Sequence, residues 1–287
     1  MKKIQNILIP IEFSHNSENA IQLALRIAKP YKAKITFLHV YHRPLLHRSF
    51  EKIPDSKRLG RYERLKLRQL ERKFINQFRE LYNQHPELNE LNVRFENVRG
   101  TVYDQIMKYS RKPSVNLIIM GTSGLKKEHG RDYTLASRVS MNADVPVLIV
   151  PNDMEEVELP DKIAFTYDFE PIENLTLLDN VKLVAEALNT EIHIIGLKSH
   201  RKELTISEKR KLQDLKKQFE GYPVQIHAIN RNLLKSGLTY YLLNQGISLV
   251  AVIHRSRNFL RRIFHKSLTK RMALHARVPI LSMNLKS

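Results

Sequence analysis

The chain repeats itself, and the repeat constrains the fold more than any single motif. "VNLIIMG" (115–121) is matched by "ISLVAVIH" (247–254), and "RVSMNADVPVLIV" (138–150) by "RMALHARVPILSM" (271–283), 133 residues on. "ILIPIEF" (7–13) is matched by "IAFTYDF" (163–169) and "KAKITFLHV" (32–40) by "NTEIHIIGL" (189–197), 156 to 157 residues on. The two spacings differ by some 23 residues, which places an insertion in the first copy between its second and third strands. A chain of 287 residues has room for two ordinary domains. The join falls in "PNDMEEVELP" (151–160), bracketed by Pro151 and Pro160 and rich in acid. This reads as a linker over 152–160, between a domain at 1–151 and a second at 161–287.

Within the first copy, short β-branched runs alternate with helical patterns. Strands are predicted at Ile7–Ile11, Ile35–Val40, Val93–Val98, Val115–Met120 and Val147–Val150. Helices are predicted from about Ser17 to Lys29, Leu59 to Tyr82, Val102 to Tyr109 and Thr134 to Asn142. The first buries Ala20, Ile21, Ala24 and Ile27, and the second puts Leu67, Leu70, Phe74, Phe78 and Leu81 on one face. The second copy repeats the strands near 162–167, 192–197, 224–229, 248–253 and 280–283. Such alternation means an α/β fold with a parallel sheet covered on both faces and right-handed crossovers.

Composition narrows the function classes. No cysteine is present, which removes disulfides, thiolate metal sites and cysteine nucleophiles. "MKKIQNILIP" enters a strand-like run directly, without a secretory leader, and no apolar run approaches ~20 residues. A cytoplasmic protein without membrane partners is the expectation. The formal net charge is +19, a field that attracts anions. From Tyr222 to Ser287 there are eleven Lys and Arg and no Asp or Glu.

Glycine is scarce: nine residues, where roughly 7% usage would give about twenty. Three of the nine, Gly121, Gly124 and Gly130, fall within "GTSGLKKEHG", directly after the predicted fourth strand. Glycine lets a backbone turn sharply and lets a ligand approach closely. The loop is therefore a candidate phosphate cradle. The competing reading is a loop that turns the chain and binds nothing.

Strand one ending "ILIPIEFS", "LHV" closing strand two, "LIIMGTSG" after strand four and the terminal "VPVLIVP", in that order, resemble the universal stress protein family in its tandem form. The resemblance runs through nearly the whole chain, one copy per half. It implies two tandem doubly wound parallel five-stranded sheets of order 3-2-1-4-5, like those of the adenine nucleotide alpha hydrolases. It also implies a nucleotide crevice between the carboxyl ends of strands one and four. Open parallel sheets bind ligands at that switch point for general reasons. The family's ATP-binding members carry Gly-two-Gly-nine-Gly-Ser/Thr and an Asp after strand one.

Carried over residue by residue, Glu12 stands where the family has its Asp, one methylene longer. Val40 lies where strand two would flank adenine. Gly121 and Gly124 match the first two glycines, and Tyr133 falls on the third in a loop one residue short. Thr134 matches the hydroxyl, placed to cap a helix whose N–H groups suit phosphate. The resemblance thus implies ATP or another adenine nucleotide as ligand of the first half. In the second half Asp168 keeps the acid, but His254 and Arg257 replace the first two glycines, and Lys266 and Ser267 fall on the third glycine and the hydroxyl. No glycine follows Gly246. Arg255, Arg257, Lys266 and Ser267 form a candidate anion site built from side chains, against the alternative of a solvated basic loop.

No nucleophile–base motif, zinc pattern or Walker loop is present. His39, His42 and His47 fit no zinc spacing. The reading is a non-enzymatic stress-response binding or regulatory protein. Two alternatives stand beside it: a nucleic-acid or polyanion binder using the basic C-terminal domain, and a slow ATP-hydrolysing switch. The basic, aromatic-dotted stretch 41–66 reads either as a single-stranded nucleic-acid contact or as an excursion into the long helix. Finally, "VPVLIV" and "VPILSM" would be apolar, uncharged sheet edges, liable to pair. The resemblance implies joining through this strand: an intramolecular pseudo-dimer through 146–150 and 279–283, or a homodimer between chains.

Overall fold

The computed structural model describes residues 3–13, 17–41, 61–122, 134–151, 160–198, 203–230, 241, 244–254 and 278–285. The first half comprises β1 (Asn6–Pro10), α1 (Glu18–Tyr31), β2 (Lys34–Tyr41), α2 (Arg61–Gln84), β3 (Val93–Arg99), α3 (Val102–Ser110), β4 (Leu117–Thr122), α4 (Leu135–Asn142) and β5 (Val147–Pro151). The second comprises β6 (Lys162–Tyr167), α5 (Thr176–Leu188), β7 (Glu191–Lys198), α6 (Ile206–Lys217), β8 (Val224–Asn230), β9 (Leu249–His254) and β10 (Ile280–Asn284).

Each half is a parallel five-stranded sheet, β3-β2-β1-β4-β5 and β8-β7-β6-β9-β10, with the order 3-2-1-4-5 in both. The two sheets are continuous. β5 and β10 pair antiparallel within the chain, with Ile149 opposite Ile280, Leu148 opposite Leu281 and Val147 opposite Ser282. Ten strands form one sheet whose edges are β3 and β8. The strands at this join are buried on both faces, Val147 to Val150 and Leu281 to Met283 alike. Burial of each such aliphatic side chain is worth about 1.5–3 kcal/mol.

The repeat extends to local detail. Asn116 Oδ1 accepts from the N–H groups of Gln5 and Asn6, at 3.1 and 3.2 Å, fixing the entry of β1 beside β4. Ser248 Oγ does the same for Asp161 and Lys162, at 2.9 and 3.2 Å. α1 ends at Lys32 (φ 48°) and α5 at Asn189 (φ 53°), both left-handed. In both, the following N–H bonds back into the last turn, Ala33 to Ala28 and Thr190 to Ala185.

Helices α1 and α5 meet across the join. Tyr31 Oη donates to the Leu183 carbonyl at 2.8 Å and lies 3.2 Å from Glu186 Oε2. Burial, and then the Glu186 carboxylate, push the Tyr31 phenol well above its ordinary range. The folded state therefore holds this proton more tightly than the unfolded chain, whose tyrosines ionise near ~10. The stabilisation is complete below that pH and is lost as pH rises above it. Tyr31→Phe is expected to cost about 1 kcal/mol at neutral pH and to flatten the alkaline loss of stability. Urea unfolding of both proteins from pH 8 to 11 measures this.

Candidate functional site

At the switch point of the first half, the ladder between β1 and β4 ends early. They pair only at Ile7–Leu117 and Leu8–Ile118, although β1 continues to Pro10 and stays paired with Leu38 of β2. The cause is local. Ile11 N–H donates to Leu38 at 2.9 Å. Backbone polar groups of successive strand residues point to opposite sides, so Pro10 presents its nitrogen toward β4. Proline has no N–H to offer, and the ladder stops. In the second half the corresponding residue is Thr166, which keeps its N–H. There β6 and β9 pair at four positions, through Thr166–Val252. The β1–β4 ladder thus ends two residues earlier at the switch point of the first half than the β6–β9 ladder does in the second.

Beyond Pro10 the chain turns at Phe13, whose φ of 54° is left-handed. Its counterpart Phe169 has φ 66°. Such a conformation costs a non-glycine residue about 1–3 kcal/mol, offset here by ring burial. The Phe13 ring lies 4.9 Å from Phe78, 5.9 Å from Phe74 and 5.3 Å from His39, between centroids. His39 Nδ1 is 3.0 Å from Asn97 Oδ1. In the second half, the position of His39 is held by Gly196, where an added Cβ would sit 2.7 Å from Phe169 Cζ. Phe169 therefore requires glycine beneath it, and Phe13 is seated beside an imidazole instead.

Glu12 is exposed at this turn and makes no hydrogen bond or ion pair among the described residues. Its counterpart Asp168 is half-buried and its Oδ1 accepts from Glu170 N–H at 3.3 Å. Val40 is half-buried and packs in the same cluster as Met120 and Ala136, on the α3–α4 face. Gly121 is strand rather than loop: it lies within β4 opposite Val150, and β4 runs to Thr122 instead of ending at Met120. Thr134 caps α4, its Oγ1 accepting from Ser137 N–H at 3.1 Å, while Ser137 Oγ donates to the Thr134 carbonyl at 2.8 Å. The first N–H groups of α4 have no helical partner. Gly124, Gly130 and Tyr133 lie outside the described residues, as do Arg255, Arg257, Lys266, Ser267, His42 and His47.

The described part of the site therefore offers a carboxylate, an apolar floor at Val40 and Met120, and helix N–H groups. Such a set is suited to holding a ligand; the described residues at the site include no paired nucleophile and base. No group of three or more metal-ligating side chains occurs among the described residues. The role of Pro10 was missed in sequence reasoning, although the signal was present: proline inside a central-strand pattern marks a ladder break.

A separate polar cluster lies on the face of β7 and β8. His193, almost fully buried, stacks on His227 at 5.4 Å and holds Tyr241 Oη 3.0 Å from its Nδ1. Burial, and then His193, push His227 below its ordinary range. Burial, and then Glu191, push Tyr241 up to about 12.

The sequence model of the universal stress protein family matches residues 3–151. No curated protein sequence matches the chain. Among solved structures, a universal stress protein from Archaeoglobus fulgidus is similar over 98% of this chain and 97% of its own, at 18% identity and a TM-score of 0.68. A functionally unknown protein from Pseudomonas aeruginosa is similar over 99% and 93%, at 14% identity and 0.59. The cytoplasmic domain of a prokaryotic cation chloride cotransporter is similar over 100% and 97%, at 12% identity and 0.56. These likenesses are of fold. At the site itself, Thr134→Ala removes the α4 cap and is expected to cost about 1 kcal/mol of stability, read from the urea midpoint. An unchanged midpoint would show that the cap contributes nothing.

Proposed function

Because the chain belongs to the universal stress protein family, we propose that it is a regulatory binding module whose first half takes up an adenine nucleotide, ATP foremost, at the β1–β4 opening. The division is 1–151 for the nucleotide-responsive domain, 152–160 for the linker and 161–287 for a partner domain that has lost nucleotide binding. The observation that supports the reading is the early end of the β1–β4 ladder at Pro10, set against the β6–β9 ladder that runs on through Thr166. In an open parallel sheet this is where a ligand enters. Glu12 is the candidate ribose acceptor and Val40 the adenine wall. Gly121, Gly124 and Thr134, with the α4 N-terminus, are the candidate phosphate contacts. The chain acts as a monomeric pseudo-dimer through β5 and β10. Among the described residues no helix is long and apolar enough to cross a membrane.

The acid-free stretch 222–287, with its eleven Lys and Arg, favours a second reading as a polyanion binder. Salt separates the two. Polyanion binding falls steeply with salt in proportion to the phosphates neutralised, whereas uptake into the crevice depends on adenine. Calorimetric titration with ATP, alongside mass spectrometry of any copurifying ligand, is the test. Saturable binding that Gly124→Val weakens by about 1.4 kcal/mol or more, tenfold, is expected. Absence of heat, or affinity indifferent to Gly124→Val, would overturn the nucleotide reading.

A further inference from the structure

A second cavity lies far from the β1–β4 opening, at the opposite ends of those strands. It has a volume of about 560 Å³ and is walled by Ile4 and Leu117 from the first half, Leu177, Asn180 and Val184 from α5, and Leu281 from β10. Both halves build it, and its size falls in the range of small-molecule sites, ~300–1,000 Å³.

Divergence of the repeat accounts for it. Aligned at their left-handed caps, Lys32 and Asn189, α1 and α5 correspond with a shift of 157 (189 minus 32). Ala20 then becomes Leu177 and Ala24 becomes Val181. The alanines let α1 lie close on β1, β4 and β5; α5, with bulkier residues, keeps its close backbone approach for α1 and stands further from the strands. The same alignment turns Leu23, fully buried in α1, into Asn180, half-buried at the cavity wall. Its amide makes no hydrogen bond among the described residues, so it offers one acceptor and two donor hydrogens to an occupant.

We infer that this inter-half cavity is a binding site for a neutral, mainly apolar small molecule carrying one hydrogen-bonding group, with Asn180 as its polar anchor. The charge follows from the lining. Lys3 and Asp144 stand at the rim with opposite signs, and Asp144 is already 3.6 Å from Arg111. An ionic ligand would lose hydration against Ile4, Leu177 and Leu281 without a buried counter-charge. The site is independent of the nucleotide reading.

The experiment uses the full chain, with indole as neutral probe and benzoate as its anionic counterpart, read by ligand-observed NMR and calorimetry. Indole is expected to bind saturably. Asn180→Leu, which restores the α1 pattern, is expected to weaken indole by tenfold or more and to leave the thermal midpoint unchanged or higher. Thr176→Phe, at an exposed lining position, is expected to weaken it comparably and decides the matter if the first variant does not fold. No saturable indole binding, undiminished binding in a folded variant, or benzoate binding tenfold tighter than indole would each overturn the inference.

Discussion

The antiparallel join of β5 to β10 is the interaction on which the molecule depends. Each half alone would end in a short apolar strand with a row of unpaired N–H and C=O groups, a liability that sheets must cover. Pairing Val147, Leu148 and Ile149 with Ser282, Leu281 and Ile280 removes both edges at once. It leaves β3 and β8 outermost, where Arg94 and Arg99, exposed on β3, make poor templates for further pairing. The join also turns the halves antiparallel, so that the carboxyl edge of one sheet lies at the amino edge of the other. The opening at β1 and β4 and the cavity under α5 consequently lie at opposite ends of the first half.

Duplication supplied two copies of one frame, and the copies then diverged at a few positions with large geometric effect. Pro10 against Thr166 decides whether the central ladder continues. His39 against Gly196 decides what lies beneath the phenylalanine at the strand-to-helix turn. Ala20 and Ala24 against Leu177 and Val181 decide how close the adjoining helix comes to the sheet. What stayed constant is structural: the Asn116 and Ser248 clamps, the left-handed caps and the left-handed phenylalanines. The frame is shared, while the places where a ligand could enter are not.

Much of this was legible in the sequence, because it follows from periodicity. Parallel strands buried on both faces must read as apolar runs, and "NILIP", "VLIVP" and "KIAFTY" do. The amphipathic spacing of Ala20, Ile21, Ala24 and Ile27 found α1, and the uncharged "VPVLIV" and "VPILSM" marked the strands that pair. The expected join through those strands forms within the chain, but the choice between that and a join between two chains was not legible, since a pattern of burial does not state which edge covers which. Nor was the placement of Gly121. A glycine after an apolar run reads as the start of a loop, yet pairing with Val150 keeps it in β4. The consequence of Pro10 needed the side of the strand its nitrogen faces, a fact of register rather than composition.

The proposed nucleotide site rests on Pro10 ending the β1–β4 ladder where a nucleotide would enter. Titrating ATP into the wild-type chain and into Pro10→Thr, which returns the missing donor as in β6, tests that directly. One ATP per wild-type chain, with affinity reduced at least tenfold in the folded variant, is the predicted result. Equal affinity in the two proteins, or two nucleotides per chain, would contradict it.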